Sequence, residues 1–190
     1  MMKLYLASKS PRRRELLDQI EVSYECLNID INEDWDGQEQ PRDYVARLAL
    51  EKAQAGFSQL EINDDCAVLG ADTSVVLDDH ILGKATTEAE AMEMLQRLSG
   101  RCHHVYTGVA LVGNDQIVRV NTNRVFFRSL SEKECQLYCQ TGEPLGKAGG
   151  YAVQGKAAVF IERLEGSYSG VMGLPLYETG LLLSVVGINS

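Results

Sequence analysis

Five positive charges, Lys3, Lys9, Arg12, Arg13 and Arg14, fall within the first 14 residues, a stretch without an acidic residue. Three of them follow Ser8-Lys9-Ser10-Pro11, a break suited to the passage from a strand into a helix. Amides at a helix N-terminus combined with arginine forks make an anion site. The same cluster also reads as a solvated basic face. Asp72, in Gly70-Ala71-Asp72-Thr73, follows an apolar run, and α/β folds place reactive groups at such strand ends. A carboxylate there could hold a divalent metal or take a proton from water. A turn aspartate that caps local amides is the other reading. Lys52 beside Glu51, and Lys84 and Lys147 each after a glycine, could balance phosphate charge or be ordinary solvated lysines. The acidic run Asp30-Ile31-Asn32-Glu33-Asp34 offers Glu33 as a second carboxylate, or is a solvated loop.

Several chemistries are excluded by spacing. Gly142-Glu143-Pro144-Leu145-Gly146-Lys147-Ala148 looks like a phosphate-binding P-loop but is one residue short between its glycines, and Ala148 stands where a magnesium-binding hydroxyl is needed. The acidic run lacks the calcium-loop pattern, and no G-x-S-x-G elbow occurs. Cys26, Cys66, Cys102, Cys135 and Cys139 show no C-x-x-C spacing, so they read as free thiols rather than disulfides or zinc ligands. On a strand the adjacent His103 and His104 point to opposite faces, which argues against a shared metal.

These groups need elements to hold them. Lys3–Ala7 reads as a buried strand, with Ser10 capping a helix that begins at Pro11 and carries Leu16, Leu17 and Ile20. The region from Val22 to Gln40 reads as a strand and then an acidic loop. A second helix opens at Pro41, with Tyr44, Val45, Leu48, Ala49 and Ala53 at helical spacing. Cys66–Leu69 is an apolar strand leading through Asp72 to Leu77, with a turn at Asp78-Asp79. Thr87 with Glu90 and Ser131 with Glu134 have capping-box spacing and start two further helices. Val105–Val112 and Ile117–Phe127 read as a hairpin, 142–155 as a Gly-rich loop, and Val159–Ile161 as a strand. A last helix is expected to start at Pro175. Strands alternating with helices point to an α/β fold.

The chain has 190 residues, 45% hydrophobic and 24% charged, and a formal charge of −9. A chain of this length can bury roughly 70 per cent of its unfolded surface without a disulfide or metal staple. A net negative charge disfavours a broad surface for duplex nucleic acid, though not a local anion site. No apolar run approaches a membrane span and no signal-peptide core is recognisable, so a cytoplasmic location is expected.

Seven stretches together resemble the Maf family of nucleotide pyrophosphatases. They are Leu6-Ala7-Ser8-Lys9-Ser10-Pro11-Arg12-Arg13, Leu50-Glu51-Lys52-Ala53, Leu69-Gly70-Ala71-Asp72-Thr73, Leu82-Gly83-Lys84, Leu98-Ser99-Gly100, the run from Lys147 to Gly155, and Gly170-Val171-Met172-Gly173-Leu174-Pro175-Leu176. They occur in family order along nearly the whole chain. The resemblance implies a single Maf-like domain over 1–190, with a two-lobed Maf/ITPase-like α/β fold. Its elongated mixed β-sheet would be flanked by helices, with a deep central cleft. It also implies hydrolysis of a nucleoside triphosphate to monophosphate and pyrophosphate with a divalent metal cation, Mg or Mn, and suggests a homodimer. Arg12, Thr73 and Gln154 resemble the dTTP/UTP branch rather than the branch acting on 7-methyl-GTP. Lys9, Ala85 and Gly146 depart from common family residues.

On that resemblance the expected roles are Asp72 as general base and metal ligand and Glu33 as second carboxylate. Ser8, Arg13, Lys52 and Lys84 would contact phosphate, and Arg12, Thr73 and Gln154 would read the base. The alternative is a non-catalytic nucleotide-binding regulator of cell division.

Overall fold

The computed structural model describes residues 2–60 and 65–188. Its sheet has seven strands, in the order β2 (Glu25–Leu27), β1 (Lys3–Ala7), β3 (Cys66–Leu77), β5 (Cys102–Val112), β6 (Gln116–Phe127) and β7 (Ile161–Glu165), with β4 (His80–Leu82) paired to β3. Parallel and antiparallel pairings both occur, and helices flank the strands, so the expected mixed α/β architecture is present. The chain divides into two compact units, 1–72 with 107–121 and 173–190, and 73–106 with 122–172. The boundary cuts β3 between Asp72 and Thr73.

In the first unit, β1 (Lys3–Ala7) pairs in parallel with β2 (Glu25–Leu27) on one side and with β3 (Cys66–Leu77) on the other. Across the second pairing Ala7 lies opposite Gly70. Every residue of β3 except Thr73 is buried, as expected for a strand covered on both faces. Helix α1 (Pro11–Gln19) begins at Pro11, whose fixed φ suits a first helical position, and buries Leu16 and Leu17. Helix α2 (Pro41–Phe57) buries Tyr44, Val45, Leu48, Ala49, Ala53 and Gly56 along one stripe. That stripe sits unusually close to the strands. A Cβ at Gly70 would overlap the carbonyl oxygen of Ala49 and lie 2.7 Å from the amide nitrogen of Ala53.

In the second unit, the far half of β3 pairs antiparallel with β4 (His80–Leu82) through the Asp78-Asp79 turn. Both aspartates have left-handed φ, 51° and 62°, a conformation this residue type tolerates better than most. Helices α3 (Glu88–Leu98) and α4 (Glu132–Cys139) each carry the expected complete capping box and pack on one another. Their apolar faces meet residues of β5 (Cys102–Val112) and β6 (Gln116–Phe127) in a core that includes Leu95, Leu98, Phe127, Tyr138 and Phe160. Cys135 and Cys139 are free thiols in that core. His103 is buried, whereas its neighbour His104 is half-buried and stacks on Tyr106, as strand alternation requires.

Three local expectations are revised, and two short elements are added. Ser10 occupies the cap position of α1 without a side-chain cap bond, and its amide instead donates to Ser8 Oγ at 3.2 Å. Pro175 is the residue before α6 (Leu176–Val185) rather than its first member. Residues Lys156–Phe160 form a 3-10 helix, closed by Ala158 N–H donating to Gly155 O, so β7 runs Ile161–Glu165. The strand β4 and the helix α5 (Tyr168–Met172) have three and five residues, too few for a periodic signal.

Candidate active site

Lys52 projects from α2 at the point where the helix crosses Gly70. Its ammonium lies 2.7 Å from Asp72 Oδ1 and 2.7 Å from Glu33 Oε1, so one cation gathers two carboxylates. The Lys52 and Asp72 side chains are only 12% and 9% exposed, while that of Glu33 is 36% exposed. The ion pair therefore has a shielded side and an open side. Asp72 belongs to β3, which holds its backbone in an extended strand.

Glu33 comes from the loop between β2 and α2, and the sequence alone does not show how that loop is held. The Tyr44 hydroxyl donates to the backbone carbonyl of Glu33 at 2.6 Å. Trp35 Nε1 donates to Glu39 O, and Arg47 binds the Glu39 carboxylate in a two-pronged contact. Burial, with the nearby charges of Asp72 and Glu33, pushes the Tyr44 phenol up to about 12, so it remains a donor.

Arg13 joins from α1. Its Nε donates to Gly173 O at 2.8 Å and its Nη1 to Ser8 Oγ at 3.1 Å. Ser8 Oγ thus accepts from Arg13 and from the Ser10 amide, which leaves its own O–H to donate outward. Burial lowers the Arg13 guanidinium pKa, and the charges of Asp72 and then Glu33 oppose that effect. Arg12, half-buried on the same turn, is lowered by burial, against the charge of Glu15. Both remain cations at neutral pH because arginine starts so high.

The first unit therefore brings together Ser8, Arg13, Lys52, Glu33 and Asp72 from four separate segments. Lys52, Arg13 and the two carboxylates carry two charges of each sign. Apart from Arg12, which lies on α1 in the first unit, the remaining sequence-assigned residues belong to the second unit. Thr73 follows Asp72 directly on β3 and is half-buried. Lys84 is exposed beside β4 and bridges in antiparallel fashion to Ala148. Gln154 is exposed on the loop before the 3-10 helix. Tyr44, as anchor of the Glu33 loop, and the Gly173 carbonyl, as acceptor for Arg13, were not singled out by residue type. The second lies within one of the seven matching stretches.

Among the described residues no group of three or more His, Cys, Asp or Glu forms a ready metal cage. Asp72 and Glu33 do form a hard oxygen donor pair on one ammonium. Such a pair fits a divalent cation that takes its other ligands from phosphate oxygens and water.

The chain is 52% identical to the dTTP/UTP pyrophosphatase of Alkalilimnicola ehrlichii, over 98% of this chain and 94% of that protein. It is 47% identical to the dTTP/UTP pyrophosphatase of Xanthomonas axonopodis pv. citri, over 98% of this chain and all of that one. A solved nucleoside-triphosphatase, a dITP/XTP pyrophosphatase from Mycobacterium abscessus, shares 18% identity over 66% of this chain and 73% of its own, at a TM-score of 0.43. The family model described as Maf-like protein matches residues 3–186, and the chain belongs to that family.

Proposed function

We propose that the protein hydrolyses dTTP and UTP to the nucleoside monophosphate and pyrophosphate. The observation that carries this reading is the single ammonium of Lys52 holding Asp72 and Glu33 beside Arg13 and Ser8. The names of the relatives described above support the substrate class.

The electrostatics of the cluster support a metal requirement. A triphosphate brings about four negative charges, and the two resident carboxylates already offset Lys52 and Arg13. Arg12 and Lys84 add two cations, and a divalent ion supplies the rest. Asp72 and Glu33 would hold that ion, Mg or Mn. When bound it would polarise the α-phosphoryl group and acidify a water molecule.

The chain's own residues do the remaining work. Arg13, Ser8, Lys52 and Lys84 bind and orient the phosphate oxygens. Asp72 accepts a proton from the attacking water as its oxygen bonds to the α-phosphorus. The α-phosphorus–oxygen bond to the β-phosphoryl group breaks, and pyrophosphate leaves. Lys52 holds the Asp72 carboxylate in one orientation throughout. Arg12, Thr73 and Gln154 read the base and its surroundings. The role that follows is removal of surplus or modified pyrimidine nucleotides.

A cytoplasmic location and a homodimer belong to the same reading. No helix among the described residues is long and apolar enough to cross a membrane. Tyr177, Leu181 and Val185 expose an apolar stripe along α6 at four-residue spacing, a surface suited to a second copy.

The test is a panel of nucleoside triphosphates assayed with Mg and with Mn, scored for pyrophosphate, monophosphate and orthophosphate. Pyrophosphate with monophosphate from UTP and dTTP is expected. Orthophosphate as the first product, or nucleotide binding without turnover, overturns the reading.

A further inference from the structure

Glu143 has no place in the chemistry above, yet its bonds surround the segment that carries Gln154. Its Oε1 accepts from the Tyr138 hydroxyl at 2.8 Å, and its Oε2 accepts from the Lys156 amide at 3.1 Å. The Tyr138 oxygen in turn accepts from the Ala152 amide at 3.3 Å. The pair thus grips the backbone two residues before Gln154 and two residues after it. Gly155 lets the Glu143 carboxylate approach closely, since a Cβ there would require that carboxylate to move aside.

Glu143 is itself held in place. Its amide donates to Thr141 Oγ1 at 3.2 Å, and Lys147 Nζ donates to its carbonyl. The intervening loop needs such support, because Gly146, Gly149 and Gly150 all adopt left-handed φ near 70° and Gln154 belongs to no ladder. Burial, and then the hydrogen bond to Glu143, raise the Tyr138 pKa, so its hydroxyl stays a donor to the carboxylate.

We propose that Glu143 is a positioning residue for Gln154. The Tyr138–Glu143 pair fixes the backbone on both sides of Gln154 and so sets the place from which the amide reads the substrate base. The proposal rests on the assignment of Gln154 as a base-reading residue made above. A polar reader loses discrimination when its support lets it wander by about half an ångström or more, because alternative bases then find partners.

The test uses the full chain as native protein, Glu143→Gln, Gln154→Ala and the double variant, with kcat/KM measured for UTP and CTP in magnesium. A glutamine has one carbonyl oxygen and cannot accept both bonds, yet keeps the volume of glutamate. Glu143→Gln is expected to lower the UTP/CTP ratio by about tenfold. In the Gln154→Ala background the same change is expected to move the ratio by less than about twofold, because the residue through which it acts is gone. A purely structural role would instead lower the melting temperature and depress both substrates equally. Tyr138→Phe removes one hydroxyl and carries the test if Glu143→Gln folds poorly. An unchanged ratio in Glu143→Gln and in Tyr138→Phe, with a collapsed ratio in Gln154→Ala, overturns the positioning role alone. Additive losses in the double variant also overturn it. An unchanged ratio in Gln154→Ala overturns the base-reading assignment and the positioning role with it.

Discussion

Lys52 Nζ lies 2.7 Å from Asp72 Oδ1, and both side chains are about nine-tenths shielded from water. At that depth neither charge is well solvated without the other. Lys52→Met keeps much of the aliphatic stem and removes the cation, leaving Asp72 and Glu33 to repel each other. The expected result is a loss of roughly 1–3 kcal/mol in stability and a fall in turnover of about 10² or more. Denaturant unfolding and steady-state kinetics on the same preparation measure both. Full activity with unchanged stability would show that the pair serves neither purpose.

Asp72→Asn separates the two roles. The asparagine keeps the shape, and Lys52 retains its bond to Glu33, so the fold is expected to survive with little loss. The basic oxygen is gone, and turnover is expected to fall by roughly 10² to 10⁴, the usual range for a missing general base. Near-native turnover in a well-folded Asp72→Asn protein removes Asp72 from the mechanism.

Gly70 sets the approach of α2 to β3. A methyl group there would overlap the Ala49 carbonyl, which belongs to the helix backbone and cannot rotate aside. Gly70→Ala therefore pushes α2 away from β3 and draws Lys52 from Asp72, two residues further along the strand. The expected cost is about 1–3 kcal/mol of stability, with a drop in kcat beyond what the unfolded fraction explains. A variant that loses stability but keeps kcat per folded molecule would separate the close packing from the site.

The residue types that would do chemistry were legible before the structure, and the ion pairs that hold them were not. Asp72 and Lys52 stood out because each sits in a matching stretch, but nothing in their spacing of twenty positions tells that one ammonium bridges Asp72 and Glu33. That follows from α2 crossing β3 at Gly70, a tertiary contact. The capping boxes at Thr87 and Ser131 were readable because cap and partner lie three residues apart. The 3-10 turn at Lys156–Phe160 reads in part as a strand from sequence, since Val159, Phe160 and Ile161 have strand-like side chains. The amide of Lys156 that commits this turn to Glu143 is a non-local bond.

His103 makes stability depend on pH in a predictable direction. It is buried against Phe127 and Tyr151, its Nε2 lies 2.8 Å from the Tyr151 hydroxyl, and its Nδ1 has no hydrogen-bond partner. Burial, and then the neighbouring charge of His104, lower its pKa from 6.5 to about 3. The native imidazole stays neutral across this interval, whereas the unfolded chain takes up a proton below about 6.5. The unfolded state then binds more protons, so stability is complete above about 6.5 and declines as pH falls toward about 3. The full interval corresponds to roughly 5 kcal/mol. His103→Gln can still bond Tyr151 but does not titrate. Its denaturation midpoint is expected to fall less steeply than that of the native protein between these limits. Parallel pH profiles would show that His103 does not titrate on unfolding.

Base choice tests the assignment of Arg12, Thr73 and Gln154. Gln154 carries two amide donors and an acceptor, which match the alternating edge of uracil or thymine. Thr73 adds a hydroxyl and Arg12 a planar fork of donors. Uracil and thymine share that edge and differ by one methyl group, worth about 1 kcal/mol or somewhat more, so UTP and dTTP are expected to be separated only weakly. Cytosine presents an amino donor where uracil presents an acceptor, so CTP leaves buried polar groups unpaired and is expected to be rejected much more strongly. Gln154→Glu replaces the amide donors with a second acceptor and adds a negative charge. It is expected to reduce kcat/KM for UTP and dTTP by about tenfold or more while the metal dependence stays as it was, because Asp72 and Glu33 are untouched. Values of kcat/KM for UTP, dTTP, CTP and 7-methyl-GTP on both proteins, each with a magnesium titration, decide the matter. A native preference for 7-methyl-GTP, or a Gln154→Glu protein indistinguishable from native, would place base recognition on other residues.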